Sequence, residues 1–138
     1  MANLDKLILY TDGASLGNPG RAGVGVIVYN QNRDVIKKVT EFIGITTNNV
    51  AEYMALIYAL QEALYLKAKE LSCFLDSELV VKQLEGSYKV KDSKLKLLYY
   101  QVKYLESFFE KVNFNHIGRD GNKEADKLAK EAAKEKRG

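Results

Sequence analysis

The chain has 138 residues, a 46% apolar share and a formal charge of +3, which fit a single globular domain over residues 1–138 and exclude wholesale disorder. One cysteine, Cys73, excludes an internal disulfide framework and a cysteine-cluster zinc site. No apolar run approaches the ~18 residues of a membrane span, and no basic-then-apolar leader opens the chain, so a cytoplasmic protein is expected, with Cys73 buried as a small hydrophobe.

Residues 6–11 form a continuous apolar run, the pattern of a central strand buried on both faces. Gly17-Asn18-Pro19-Gly20 marks a turn, with proline restricting φ and the glycine after it free to take a positive one. Residues 23–29 and 35–44 read as a second and a third strand joined by the polar loop 30–34, and the third is polar enough for a sheet edge. Asn48 and Asn49 are good helix N-caps, and Val50, Met54, Ile57, Leu60 and Leu64 then recur at helical spacing toward Lys67. Residues 70–75 read as a fourth strand and 77–84 as a short helix ending near Gly86. Leu95, Leu98, Val102, Leu105 and Phe109 form an apolar stripe, predicting a helix over 93–109. In 112–117 the alternation of Val112, Phe114 and His116 with their neighbours predicts a fifth strand, with His116 on its core side. A last helix starts near Lys123. The order β-β-β-α-β-α-α-β-α implies an α/β fold with a mixed sheet flanked by helices.

Four acids lie at junctions of these elements: Asp12 after the first strand, Asp76 after the fourth, and Glu52 and Asp126 in the first turns of two helices. Each has an ordinary local role. Asp12 before Gly13 suits a turn, Asp76 could cap a helix, Asn49 and Glu52 have capping-box spacing, and Asp126 could pair with Lys130. Together they carry a different chemistry. If the first and fourth strands are neighbours, Asp12 and Asp76 project from one end of the sheet. Clustered carboxylates repel one another unless hard divalent cations bind, and two such ions can assist phosphodiester hydrolysis.

The blocks Tyr10-Thr11-Asp12-Gly13-Ala14-Ser15, Gly17-Asn18-Pro19-Gly20, Thr47-Asn48-Asn49-Val50-Ala51-Glu52, Leu75-Asp76-Ser77 and Asn122-Lys123-Glu124-Ala125-Asp126 together resemble the type 1 ribonucleases H, in family order and across essentially the whole chain. The resemblance implies a ribonuclease H-like fold, a five-stranded mixed sheet of order 3-2-1-4-5. It implies a monomeric endonuclease that hydrolyses the RNA strand of RNA/DNA hybrids to 5′-phosphate and 3′-hydroxyl ends. It assigns Asp12, Glu52, Asp76 and Asp126 as catalytic ligands of two Mg²⁺ ions, with Mn²⁺ as a substitute; Asp12 would bridge the pair and Glu52 would face the ribose 2′-hydroxyl. It places Asn18, Asn48 and Asn49 toward the minor groove of the hybrid and Thr47 toward a DNA-strand phosphate. A hybrid-binding module without catalysis, or another nuclease of the same superfold, are the alternatives.

Three features depart from many members. The connection before the Leu95–Phe109 stripe is short where many members carry a basic protrusion, as in the short archaeal-like form, so hybrid affinity would rest on Lys89 and Lys91 with Lys94 and Lys96; Tyr88 is expected to pack. Glu78 stands where many members have a substrate-contacting glutamine, and it is left out of the site. Arg119 sits in the loop where many members have a mobile histidine, and is the expected assistant to catalysis, with His116 as second choice. Arginine cannot serve as a base near neutral pH, so its part would be charge stabilisation of the phosphate. Charge follows the same division: residues 82–103 carry +4 and 127–138 carry +3, leaving −4 on the rest. Two basic segments in an otherwise acidic chain suit a polyanionic partner.

Overall fold

The computed structural model describes residues 3–135. Lys136 and Arg137 of the C-terminal basic segment lie outside the described residues. Five strands form one sheet of order β3-β2-β1-β4-β5. They are β1 (Lys6–Leu16), β2 (Gly20–Tyr29), β3 (Val35–Thr46), β4 (Glu70–Leu75) and β5 (Lys111–His116). The first three are antiparallel neighbours, whereas β1, β4 and β5 run parallel. Four α-helices complete the chain: α1 (Asn48–Tyr65), α2 (Glu78–Glu85), α3 (Ser93–Glu106) and α4 (Lys123–Lys134), the last preceded by a 3₁₀ turn over Arg119–Gly121.

One core lies between the sheet and α1. Leu7 and Leu9 of β1, Val26 and Val28 of β2, and Leu71 and Cys73 of β4 meet Tyr53, Leu56, Ile57 and Leu60 of α1 there. Cys73 is free and buried, as expected, and burial pushes its thiol well above the ordinary range, which makes it inert. Tyr53 is fully buried and its hydroxyl donates to Gln83 Oε1 of α2 at 2.6 Å. Tyr53→Phe would leave that acceptor buried and unpaired. It should cost about 1–2 kcal/mol in urea unfolding with little change in slope.

Two glycines set how closely the helices approach. A Cβ on Gly13 would stand 2.1 Å from the carbonyl carbon of Ala51 and 2.4 Å from the Glu52 nitrogen, so α1 rests directly on the β1 backbone. A Cβ on Gly25 would stand 2.4 Å from the Ala125 oxygen, so α4 rests equally closely on β2. Gly25 pairs with Asp12 across the β1–β2 ladder, so both point to the α4 face, and Gly13 points to the α1 face. Ala125 and Ala129 keep the α4 side of that contact equally slim.

The predicted elements are all present, and the differences are at their ends. β1 does not stop at Thr11. Its parallel pairing with β4 ends at Thr11↔Leu75, but its antiparallel pairing with β2 runs on through Asp12↔Gly25 to Leu16↔Arg21. Asp12 is therefore an interior strand residue beside the point where β4 ends. The hairpin turn takes its positive φ at Gly17 rather than at Gly20, and the Asn18–Pro19 peptide is cis. The cap of α1 is Thr47, whose hydroxyl accepts from the Val50 nitrogen, and not Asn48 or Asn49. Ser77, not Asp76, caps α2, and α3 ends three residues before Phe109.

Candidate active site

Asp12, Glu52 and Asp76 each bring one carboxylate oxygen within 4.8 Å of the others. Three different elements supply them. Asp12 comes from β1, at a point β4 no longer covers. Asp76 is the first residue after β4. Glu52 comes from α1, at the start of its second turn rather than in its first, because the cap is Thr47; the close contact at Gly13 draws it in, and its Oε1 accepts from the Gly13 nitrogen at 3.1 Å. That bond takes the place of the capping box that the Asn49–Glu52 spacing allows. Asp126, on the first turn of α4, lies outside this trio but lines the same cleft of about 200 Å³, as do Arg119 and Lys130. Its carboxylate pairs with Lys130 Nζ at 3.0 Å, four residues on, so its ordinary local role is also filled.

The cleft is electrostatically unfavourable for acids. Asp12 is 4% exposed and Glu52 6%. Burial, then the charge of Glu52 and a hydrogen bond with it, then Asp76 and Asp126, raise the Asp12 carboxyl far above the ordinary carboxylate range. Burial also raises Glu52, next opposed by its hydrogen bond with Asp12. The Gly13 N–H and the Arg119 charge oppose it further. Burial and mutual repulsion thus work against carrying charge on Asp12 and Glu52 together unless another positive charge enters. An all-oxygen set of converging carboxylates suits a hard divalent cation, so the residues present fit the metal that such a cluster implies.

The remaining candidates divide by location. Asn18 and Asn48 are brought together: Asn18 Oδ1 accepts from the Asn48 nitrogen at 3.0 Å, and Asn48 Oδ1 accepts from the Ser15 nitrogen at 3.1 Å. The first uses the Asn48 backbone and the second its side chain, while the cap falls to Thr47, one residue before α1 begins. Thr47 and Asn49 flank it, both exposed. Lys89 and Lys91 lie on the connection between α2 and α3, away from the carboxylates, and line a separate cavity of about 500 Å³ with Tyr88 and Tyr99. Tyr88 is 49% exposed, against the expectation that it packs, because the short connection gives it no layer to pack beneath. His116 shares the Phe114 side of the sheet, as alternation requires, but as the last residue of β5 it is exposed and not in the core. It lines a hollow with Glu78 of α2 and does not line the carboxylate cleft. Asn122 was not anticipated as a site residue. It is 2% exposed, and its Nδ2 donates to Asp76 Oδ2 at 3.0 Å and to the Thr11 carbonyl at 2.9 Å. In the sequence it stands before the last helix, in a block that carries the family resemblance, with no role of its own.

A five-stranded 3-2-1-4-5 sheet with a carboxylate cluster where β1 and β4 part defines the ribonuclease H fold class. Comparisons with known proteins agree. A family model described as "Reverse transcriptase-like" matches residues 10–132. A bifunctional protein of Mycobacterium tuberculosis is 42% identical over 128 residues, 92% of this chain and 35% of that protein. The solved N-terminal ribonuclease H domain of that protein superposes with a TM-score of 0.90, covering 93% of each chain. Ribonuclease HI of Halobacterium salinarum is 38% identical over 89% of this chain and 62% of its own. Its crystal structure gives a TM-score of 0.90 and covers 92% of this chain and 96% of that one. The LC11 ribonuclease H1, isolated from compost and solved with an RNA/DNA hybrid, is 39% identical with a TM-score of 0.88, covering 92% of this chain and 96% of that one. The chain spans about a third of the length of the mycobacterial relatives it matches at 42% identity. The chain belongs to the type 1 ribonuclease H family, in the short form in which α2 and α3 are joined without a basic protrusion.

Proposed function

We propose that this chain is a divalent-metal-dependent endoribonuclease that cuts the RNA strand of RNA/DNA hybrids, leaving 5′-phosphate and 3′-hydroxyl ends. The observation that carries the proposal is the convergence of Asp12, Glu52 and Asp76 within 4.8 Å, two of them buried. The LC11 relative solved with a hybrid supports the substrate class. Asp12, Glu52, Asp76 and Asp126 would hold two Mg²⁺ ions, for which Mn²⁺ could substitute. Bound metal would supply activation of water and stabilisation of the departing 3′-oxygen. The chain's own residues do the rest. Asn48, which lines the cleft, with Asn18 bonded to it and the exposed Thr47 and Asn49 beside it in the chain, would meet the hybrid, where a minor groove presents its 2′-hydroxyls. Arg119 brings a fixed positive charge to the phosphate. Lys89 and Lys91 attract the duplex backbone from the side of α3. The protein is proposed to act as a cytoplasmic monomer.

End-labelled RNA/DNA hybrid, duplex RNA and branched DNA, each with Mg²⁺ and with Mn²⁺, test the proposal. Cleavage confined to the RNA strand of the hybrid is the expected pattern. Binding of the hybrid without cleavage in either metal would instead identify a silent binding module, and preferential cutting of branched DNA another nuclease of the superfold. The same assay separates the two candidate assistants. Arg119→Ala should lower kcat by roughly 10²-fold through loss of phosphate charge stabilisation, and His116→Ala should stay within about twofold of wild type.

A further inference from the structure

Asn122 begins α4 as its N-cap residue, yet its side chain makes no cap hydrogen bond. Asparagine at this position ordinarily accepts from a first-turn N–H. Here the carboxamide is turned inward, 2% exposed, and both hydrogens of Nδ2 are committed, to the Thr11 carbonyl and to Asp76 Oδ2. Its Oδ1 is buried with no hydrogen-bond partner among the described residues. The opposite amide orientation would set that oxygen against a carbonyl and a carboxylate, so the donating orientation is the only compatible one. A helix start that gives up its cap and leaves an acceptor unpaired departs from the local rule, and such departures gather at functional sites.

The bond also joins the right elements. Thr11 is the last β1 residue paired with β4 and directly precedes Asp12. Asp76 directly follows β4. Asp126 is one helical turn beyond Asn122 on α4, and its nitrogen donates to the Asn122 carbonyl at 3.0 Å. A single side chain therefore ties the end of β1, the carboxylate after β4 and the helix that carries Asp126. Asp76 Oδ2 accepts that N–H while Asp76 lines the carboxylate cleft.

We infer that Asn122 is a positioning residue for the metal site, fixing the rotamer of Asp76 and its distance from Asp12 and Asp126. The inference rests on the metal-binding reading of the carboxylate cluster. Groups that orient metal ligands in this way commonly change affinity 10- to 100-fold when removed. Asn122→Ser and Asn122→Gly separate this role from helix initiation, because both residues are accepted at N-caps while neither can reach Asp76 with an amide.

The test is calorimetric titration of Mn²⁺ into metal-free wild type, both variants, Asp76→Asn and Asp76→Asn with Asn122→Ser, at a temperature well below every melting point. Mn²⁺ affinity should fall about 10- to 100-fold in both single Asn122 variants while they remain folded. In the Asp76→Asn background, Asn122→Ser should add less than about twofold, since the residue acts through Asp76. Wild-type affinity in both Asn122 variants would overturn the inference alone. A loss of the same size with or without the Asp76 carboxylate would also overturn it, marking a general loosening of the fold. No Mn²⁺ uptake by the wild type would overturn the metal reading and this inference with it.

Discussion

Asp12→Asn is expected to abolish hybrid cleavage, by at least ~10³-fold, while making the metal-free protein more stable. The two effects share one cause. Asp12 is buried beside Glu52 and Asp76, and its carboxyl is raised far above its unfolded value, first by burial and then by those charges. A group whose folded pKa is raised contributes stability that is fully present below the unfolded pKa, in the acid range. That stability is lost as pH rises toward the folded value. At neutral pH the metal-free wild type has therefore lost much of it, and the amide of the variant has nothing to lose. Removing one of three crowded acids, two of them buried, should stabilise the metal-free fold by about 2 kcal/mol, or roughly 7 °C in melting temperature. Melts in EDTA from pH 4 to pH 8 check the sign: the gap between variant and wild type should open as pH rises. Mg²⁺ should then reverse the ranking, because it stabilises only the form that binds it. A variant that is less stable than wild type at every pH without metal would show that the carboxylates are not in conflict.

That conflict was legible in the sequence because it sits at element ends. Asp76 directly follows an apolar run whose bounds, 70–75, match β4, and Asp126 falls where the last helix begins. Periodicity therefore puts Asp76 at a strand end and Asp126 in the first turn of a helix, and only the family resemblance joins Asp126 to the site. Asp12 shares the Asp76 end of the sheet if the first and fourth strands are neighbours, as they are, but the reason the sequence offers is partly mistaken. It does not follow β1 but lies within it, and is uncovered because β4 ends first. Strand length here is decided by which neighbour continues, a tertiary fact that an apolar run does not record. Glu52 shows the same limit. Its spacing from Asn49 suits a capping box, and the bond it makes instead, with the Gly13 nitrogen, depends on how closely α1 lies on β1. Asn122 was missed because asparagine before a helix already has an adequate local explanation. Only the orientation of its amide sets that explanation aside. His116 failed differently: alternation gave its side of the sheet correctly, but burial at a strand end depends on what lies above it.

The close approach at Gly13 is the part of the site that composition hides most completely, and Gly13→Ala should expose it. A Cβ there would lie 2.1 Å from the Ala51 carbonyl carbon, 2.2 Å from its oxygen and 2.4 Å from the Glu52 nitrogen. All three are backbone atoms of α1, so no side chain can rotate away, and the helix must move off the strand by more than an ångström. α1 packs Tyr53, Leu56, Ile57 and Leu60 into the core shared with β1, β2 and β4, so the shift loosens that layer. The expected loss is about 3 kcal/mol or more, at the upper end for overpacking, seen as a lower urea midpoint. Glu52 moves with the helix and loses its bond from the Gly13 nitrogen. A misplacement of about 1 Å can cost roughly 10²-fold in rate, so hybrid cleavage should fall by that order even at low temperature, where the variant is still folded. Gly25→Ala provides the comparison from the opposite face. Its Cβ would meet the Ala125 oxygen at 2.4 Å and push α4 and Asp126 instead, leaving Glu52 in place. If Gly13→Ala lost stability but kept wild-type cleavage when folded, Glu52 would not depend on this contact for its position. The rate of hydrolysis would then not be set by how closely α1 approaches β1.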